Sequence, residues 1–357
     1  MPTTDHDHHL LDLDIPIFRP KPNIFNSRQL SEILYSLEKN EIPRKYGYFD
    51  KGVAKWANKS ITSKEQFLVN RNTGKFSMFV AQYEMIVKTM DLVLGYIQNY
   101  NKVNIVDVGC GTGYPVFPIL SFLQEKKQLG KYIAIDIVKE MCDLAVSNLK
   151  KESIIKNLKT YSYVHDFEDG HFADFIVKTR DEKNINLFCF FSNTLGTMID
   201  RHRALANIRD SMGEGDLLWI GNTLYNNASK LADFYNNQVI LNSEEYKYYH
   251  GDALSFFEVF EMEWWNFGEV KIVESEESEG LLKYKFIINS PFTLDLTNKH
   301  TSASARLTFK KGEEIVFVKL KNYKEADLID ELREAGFNVE MLNTSLDKRA
   351  ALVLCSV

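Results

Sequence analysis

Apolar positions change period in an ordered way along this chain. From Val103 onward, short runs rich in β-branched residues alternate with stretches whose apolar residues recur every three to four positions. That alternation predicts parallel strands joined by amphipathic helices, an α/β architecture. The expected strands begin with Val103 to Val108, Tyr132 to Asp136, Thr160 to His165, Asn186 to Phe191 and Leu217 to Gly221. The intervening helices are expected at Pro115 to Gln124, Val138 to Lys150 and Arg201 to Met212. Glu314 to Leu320 is expected to resume the same sheet, followed by a helix from Lys324 to Ala335 ended by Gly336, and a last strand at Ala351 to Cys355.

Before the first strand, Leu30, Ile33, Leu34 and Leu37 fall at helical spacing, predicting a helix from Ser27 to Lys39 with Ser27 at its start. Phe76 to Ile97 reads as a long helix with one apolar face. Three prolines (Pro16, Pro20, Pro22) make the first 25 residues irregular or extended. After the fifth strand, Tyr225 to Lys310 is aromatic-rich and breaks the alternation. It is too long for a loop inside a compact domain and is expected to be an inserted α+β lobe. The expected division is a flexible N-terminus (1–25), an N-terminal cap on the site (26–75), a core (76–222 with 311–357) and an inserted substrate-binding lobe (223–310).

The first strand runs into three glycines, Gly109, Gly111 and Gly113, then Tyr114-Pro115. A glycine loop between strand and helix lets a ligand approach the backbone where any side chain would collide. A dinucleotide fingerprint needs a glycine at the sixth position, where Tyr114 stands, and no Gly-Lys-Ser/Thr follows. Asp107 lies near the end of the first strand, and Asp136 ends the second, where an acid can accept hydrogen bonds from ribose hydroxyls or cap the next helix. Lys45-Tyr46-Gly47-Tyr48-Phe49-Asp50-Lys51-Gly52 is either a loop packed by its own aromatics or a flap over the ligand.

Composition narrows the class. The chain has 357 residues, 45% hydrophobic and 26% charged, with a net charge of −6, which weighs against a nucleic-acid surface. No apolar run approaches a membrane span, no signal-peptide core is visible, and a cytoplasmic protein is expected. Cys110, Cys142, Cys189 and Cys355 show no metal spacing and read as reduced core thiols. Asp5-His6-Asp7-His8-His9 reads as a polar terminus rather than a metal site.

The run Asp107-x-Gly109-x-Gly111-x-Gly113 resembles motif I of the class I S-adenosylmethionine (SAM) methyltransferases. The resemblance implies a Rossmann-like sheet with SAM as cofactor. Asp107, Gly109, Gly111 and Gly113 would lie about its methionine part, Asp136 at the ribose, and Asp166 with Phe167 at adenine. More narrowly, the chain is similar to the histidine-specific methyltransferases that make the betaine precursor of ergothioneine. The similarity rests on the segment from Lys45 to Gly52, Asn193-Thr194-Leu195-Gly196-Thr197, Gly213-Glu214-Gly215-Asp216 through Gly221, and Ala335-Gly336-Phe337. It implies methyl transfer to the nitrogen of a small amine or amino acid. Tyr46 and Tyr48 would cover the cofactor, with Tyr48 and Thr197 at the reacting centre, Asn193 beside the cofactor, and Thr197 with Tyr235 framing the acceptor. For Tyr235, packing of the second lobe is the alternative. Two departures stand out. Thr197 occupies a place where the family has Asn, and Phe317 to Asn322 lacks the acid with which the family reads imidazole. A different acceptor (another amino acid, a guanidine, a natural-product amine) and a non-catalytic SAM-binding protein are the alternatives.

Overall fold

The computed structural model describes residues 15–59, 67–68, 71–72, 77–152, 157–180, 184–225, 253–297 and 305–357. The N-terminal histidine cluster and Tyr235 lie outside these residues. In chain order the elements begin with β1 (Ile17–Phe18), α1 (Ser27–Leu37), α2 (Lys51–Lys59) and α3 (Met78–Ile97). The alternating part comprises β2 (Lys102–Val108), α4 (Phe117–Glu125), β3 (Leu129–Asp136), α5 (Lys139–Lys151), β4 (Lys159–Val164), α6 (Ala173–Thr179), β5 (Asn184–Phe190), α7 (Arg201–Ser211) and β6 (Leu217–Thr223). Then follow α8 (Ser255–Val259), β7 (Gly268–Glu274), β8 (Leu281–Ile288), β9 (Phe292–Asp295), β10 (Arg306–Phe309) and β11 (Glu314–Lys321). The chain closes with α9 (Glu325–Glu334), β12 (Asn338–Thr344) and β13 (Ala350–Ser356).

Seven strands form the central sheet in the order β12-β13-β6-β5-β2-β3-β4. Strands β2 to β6 pair in parallel, and β13 is antiparallel to both its neighbours. This is the doubly wound α/β sheet expected from the alternation. Burial on both faces explains why β2 carries apolar residues on both sides. Val103 and Ile105 pack with Ile86 and Val93 of α3, while Val106 and Val108 pack with Leu205 and Ile208 of α7 on the other side. From β2 the chain winds outward through β3 and β4, then crosses back to β5. The strands therefore diverge between β2 and β5, where a crevice opens at their carboxyl ends.

One expectation fails here. β11 does not rejoin the central sheet; it pairs antiparallel with β8, which pairs with β7 in a separate three-stranded sheet. Its alternating burial suits a sheet with one covered face, unlike the almost wholly buried β5 and β6. Within the segment expected to be irregular or extended, β1 is extended and adds in parallel to the edge of β9 through Thr293 and Leu294. A smaller correction concerns the start of α1. The cap is Asn26, whose side chain accepts from Gln29 N at 2.9 Å while Gln29 Oε1 accepts from Asn26 N at 2.9 Å. Ser27 is the first helical residue.

The N-terminal segment and the insert share one hydrophobic cluster. Phe25, Tyr46 and Phe49 pack with Phe256, Phe257, Trp264 and Phe286, all buried. Burying rings of this size ties the residues before α3 to the insert rather than to the central sheet. The backbone ladder does the same, because Ile42 N donates to Val316 O and Val316 N to Asn40 O, both at 2.8 Å.

Candidate active site

The loop after β2 turns through three left-handed glycines, Gly109 (φ 65°), Gly111 (φ 51°) and Gly113 (φ 72°). Only glycine takes such angles freely. The loop is pinned to β3 by Gly109 N and Cys110 N, which donate to Ile135 O at 2.9 and 3.1 Å. A Cβ on Gly111 would stand 2.3 Å from the ring of Trp56, so α2 presses an indole against bare backbone. Gly113 serves a different purpose. A Cβ there would lie 3.0 Å from Ala145 of α5, and Gly113 does not line the cavity.

That cavity sits at the carboxyl ends of β2, β3, β4 and β5. Its floor includes Asp107, Gly109, Gly111, Asp136, Asp166, Phe167 and Thr197, and its roof is Arg44, Lys45, Tyr48 and Trp56 of the N-terminal segment. Asp107 accepts a 2.8 Å hydrogen bond from the Tyr132 hydroxyl. Burial pushes its carboxyl up to about 8, partly offset by that hydrogen bond and reinforced by the charge of Asp136. Asp136 is buried too, and burial raises it to about 6 against the pull of backbone N–H groups. Its partners are distant, Gly111 N at 3.4 Å and Val138 N at 3.3 Å. Both buried carboxyl groups carry a desolvation cost, greatest in proportion to its pairing at Asp136, that hydroxyl or ammonium donors of a ligand would relieve.

Asp166 follows β4 and accepts from Lys45 Nζ at 2.6 Å and from Glu168 N at 3.1 Å. Phe167 meets Phe190 edge to face at 5.5 Å, holding its ring at the cavity wall. Tyr48 stands edge-on to Trp56 at 6.3 Å, with the Arg44 guanidinium over its ring at 4.3 Å. Thr197 ends a short 3₁₀ turn, Leu195–Thr197, and its hydroxyl donates to Thr194 O at 2.9 Å.

Besides Gly113, two expected site residues do not reach the cavity. Tyr46 is wholly buried, its hydroxyl donates to Glu32 Oε2 at 2.7 Å, and its ring abuts Phe25. In the 3₁₀ turn Arg44–Tyr48, two positions separate the tyrosines, so one faces the aromatic cluster and the other the cavity. Asn193 is absent from the lining because both ends of its amide tie strands together. Its Oδ1 accepts from Thr223 N at 3.0 Å and its Nδ2 points to Lys321 O at 3.5 Å. Ser192 and Asn193 both hold positive φ (64° and 59°), so the turn after β5 is strained and braced by Gln82, which accepts from Ser192 N at 2.8 Å.

Several lining residues carry no signal in the sequence. Glu168 accepts from Ile199 N at 2.7 Å, and burial raises its carboxyl. Phe79 and Met141 reach the cavity from elements far apart in the chain. Lys45 belongs to the aromatic segment already singled out, and Arg44 and Trp56 flank that segment. The four cysteines are buried free thiols. Among the described residues no group of three His, Cys, Asp or Glu could hold a metal, and no helix is long and apolar enough to cross a membrane.

A family profile described as "Histidine-specific methyltransferase, SAM-dependent" matches residues 28–357. The chain belongs to this family. It is therefore a SAM-dependent methyltransferase, and SAM is the cofactor. No curated protein sequence matches it. Among solved structures, a SAM-dependent methyltransferase from Clostridium acetobutylicum is similar at 13% identity over 77% of this chain and 92% of that one, TM-score 0.41. The glycopeptide N-methyltransferase MtfA is similar at 11% identity over 76% and 92%, TM-score 0.37. The sugar N-methyltransferase KedS8 from a Streptoalloteichus species is similar at 14% identity over 82% and 93%, TM-score 0.36.

Proposed function

We propose that this methyltransferase acts on the nitrogen of a small amino-acid-type amine, inside a chamber closed by its own N-terminal segment. The observation that carries this reading is the roof. Arg44, Tyr48 and Trp56 stand over the glycine loop, leaving room for a small acceptor rather than a folded protein or a duplex.

The residues present fit SAM. Gly109 and Gly111 present bare backbone to the cavity, and buried Asp107 and Asp136 offer acceptors to ammonium and ribose hydroxyls. Asp166 and Phe167 are assigned to the adenine, the carboxylate for its amine and the ring for its face. When bound, SAM supplies a methyl group on a sulfonium, so the new N–C bond forms as the C–S bond breaks and its electron pair stays on sulfur. The chain's own part is orientation and exclusion of water. Tyr48 and Thr197 frame the approach of the amine, which must arrive neutral, its proton passing to water. The aromatic faces of Tyr48 and Trp56 favour the cationic methylated product. Four free buried thiols suit a reducing compartment, so we place the enzyme in the cytoplasm.

The test is mass spectrometry of pooled free amino acids and small amines incubated with enzyme and SAM. Production of S-adenosylhomocysteine with a methylated amine is expected. SAM binding without turnover of any acceptor would favour the non-catalytic alternative.

A further inference from the structure

The stripe that α3 buries against the sheet is apolar except at two places, Gln82 and Thr89. Thr89 turns its hydroxyl back onto Met85 O of its own helix at 2.8 Å. Gln82 instead crosses to the sheet, where its Oε1 accepts from Ser192 N at 2.8 Å. The side chain is 1% exposed, and its Nε2 has no acceptor among the described residues. It fits only because β6 carries a glycine there, since a Cβ on Gly221 would stand 2.2 Å from that Nε2. An enclosed amide with an unanswered N–H₂ costs stability, and a leucine in this stripe would not. Its one bond goes to a residue held at a φ of 64°.

That bond reaches the cavity through a single peptide unit. The Phe191–Ser192 peptide is planar, so the N–H held by Gln82 and the Phe191 carbonyl move together. Phe191 O accepts the Thr194 hydroxyl at 2.7 Å, and Thr194 O accepts the Thr197 hydroxyl at 2.9 Å. Both hydroxyl protons are thus turned onto backbone, and both oxygens keep lone pairs to offer. Thr194 and Thr197 line the cofactor cavity, and a Cβ on Gly109 would stand 3.3 Å from the Thr194 methyl. The direction of these protons matters to the chemistry. An amine attacks with its lone pair, which a donating hydroxyl would occupy. A hydroxyl that accepts the amine's N–H leaves that lone pair free to point at the methyl group.

We propose that Gln82 is a positioning residue for methyl transfer. Through the Phe191–Ser192 peptide it keeps the Thr194 hydroxyl an acceptor toward the amine's N–H. The inference rests on the reading above that the amine approaches past Thr197, and it extends that reading to Thr194 and to a helix that lies behind the turn.

The experiment gives the full chain SAM with the pooled free amino acids and small amines. It follows S-adenosylhomocysteine formation at saturating SAM, SAM affinity by calorimetry, and amide exchange of Phe191 to Thr197 in the SAM-bound protein. Gln82→Met keeps the shape and removes the acceptor, whereas Gln82→Glu keeps an oxygen in its place. Gln82→Met should lower the rate at least about tenfold and Gln82→Glu less than about threefold, with SAM affinity within about threefold of native in both. Thr194→Val should also be slow, and in its background Gln82→Met should cost less than about threefold, because both act through one hydroxyl. Exchange across the turn should rise at least about tenfold in Gln82→Met and not in Gln82→Glu. Gln82→Leu, equally suited to an apolar stripe, takes the place of the methionine variant if that one does not fold. A Gln82→Met rate within about twofold of native overturns the proposal, as does an equal loss in Gln82→Glu or a full penalty in the Thr194→Val background. If native protein that binds SAM methylates nothing in the pool, the acceptor reading falls by itself. Exchange then decides the brace: unaltered exchange in Gln82→Met overturns it.

Discussion

The ammonium of Lys45 lies 2.6 Å from Asp166 Oδ2 and 2.7 Å from Glu32 Oε1, joining the roof of the cavity to both α1 and the loop after β4. Burial lowers the Lys45 pKa, but the charges and hydrogen bonds of Asp166 and Glu32 outweigh it, and the net shift is upward. One side chain therefore fixes the Asp166 carboxylate and the N-terminal segment together. Lys45→Met should leave two half-buried carboxylates without their cation. The expected cost is about 2 kcal/mol of stability, from the penalty of breaking a desolvated ion pair. SAM affinity should weaken alongside it. Denaturant unfolding and calorimetry on the same preparation check this, and unchanged values for both would contradict the bridge.

Asp136 makes cofactor binding depend on pH. Its carboxyl titrates at about 6 in the cofactor-free protein because burial disfavours the charge. Ribose hydroxyl donors favour the ionised form, so binding lowers that value and releases a proton below it. The Asp136 contribution to SAM affinity should be full above pH 6 and fall by up to about tenfold per unit as pH drops beneath it, on top of any loss that protonation of Asp107 brings below about pH 8. Asp136→Ala should weaken SAM by more than about tenfold, and Asp136→Asn should flatten the pH dependence. Calorimetry from pH 5 to 8 gives both answers; a flat profile in the native protein would sink the ribose assignment.

Asp107 bears on the stability of the empty protein. Burial places its folded value at about 8, above its ordinary range. A carboxyl raised in the folded state contributes stability that is whole below the unfolded pKa and is lost as pH rises through the folded one. The cofactor-free protein should therefore lose stability steadily between about pH 4 and pH 8, while Asp107→Asn loses less. Thermal unfolding across that range measures the difference.

Gly111→Ala tests the closeness of Trp56. The added Cβ would stand 2.3 Å from the indole, at a backbone φ of 51° that alanine resists. The variant should keep its secondary structure by circular dichroism yet bind SAM at least about tenfold more weakly, the strain and displacement together costing more than about 1.4 kcal/mol. Undiminished binding would show that Trp56 has room to withdraw.

The two tyrosines of the Arg44–Tyr48 turn should separate cleanly. Tyr46→Phe removes the 2.7 Å hydrogen bond to Glu32 and should cost about 1.5 kcal/mol of stability with kcat/KM almost unchanged. Tyr48→Ala should leave stability nearly intact and lower kcat/KM by about tenfold or more through lost orientation. The reverse pattern would exchange their roles.

Local physics made much of this enzyme legible in its sequence. Short apolar β-branched runs bounded by turn residues favour strands buried on both faces, and the helical spacing between them leaves few topologies besides a doubly wound sheet. The glycine loop, Asp107, Asp136, Asp166 and Phe167 were legible for the same reason, since each sits at a strand end whose position follows from that alternation. Other features depend on long-range packing and had no local mark. β11 carries the apolar content of a core strand, yet it pairs with β8, because strand partners are chosen by what each face can bury. Tyr46 and Tyr48 are chemically alike and two positions apart; the aromatic cluster of the insert decided which turned inward. Asn193 is spent on Thr223 N, and Lys45 meets Asp166, 121 positions further along, only because the N-terminal segment folds over the loop after β4. Charges that meet only through folding leave no spacing to read, so the cofactor was apparent in the sequence and the ion pairs that close the cavity over it were not.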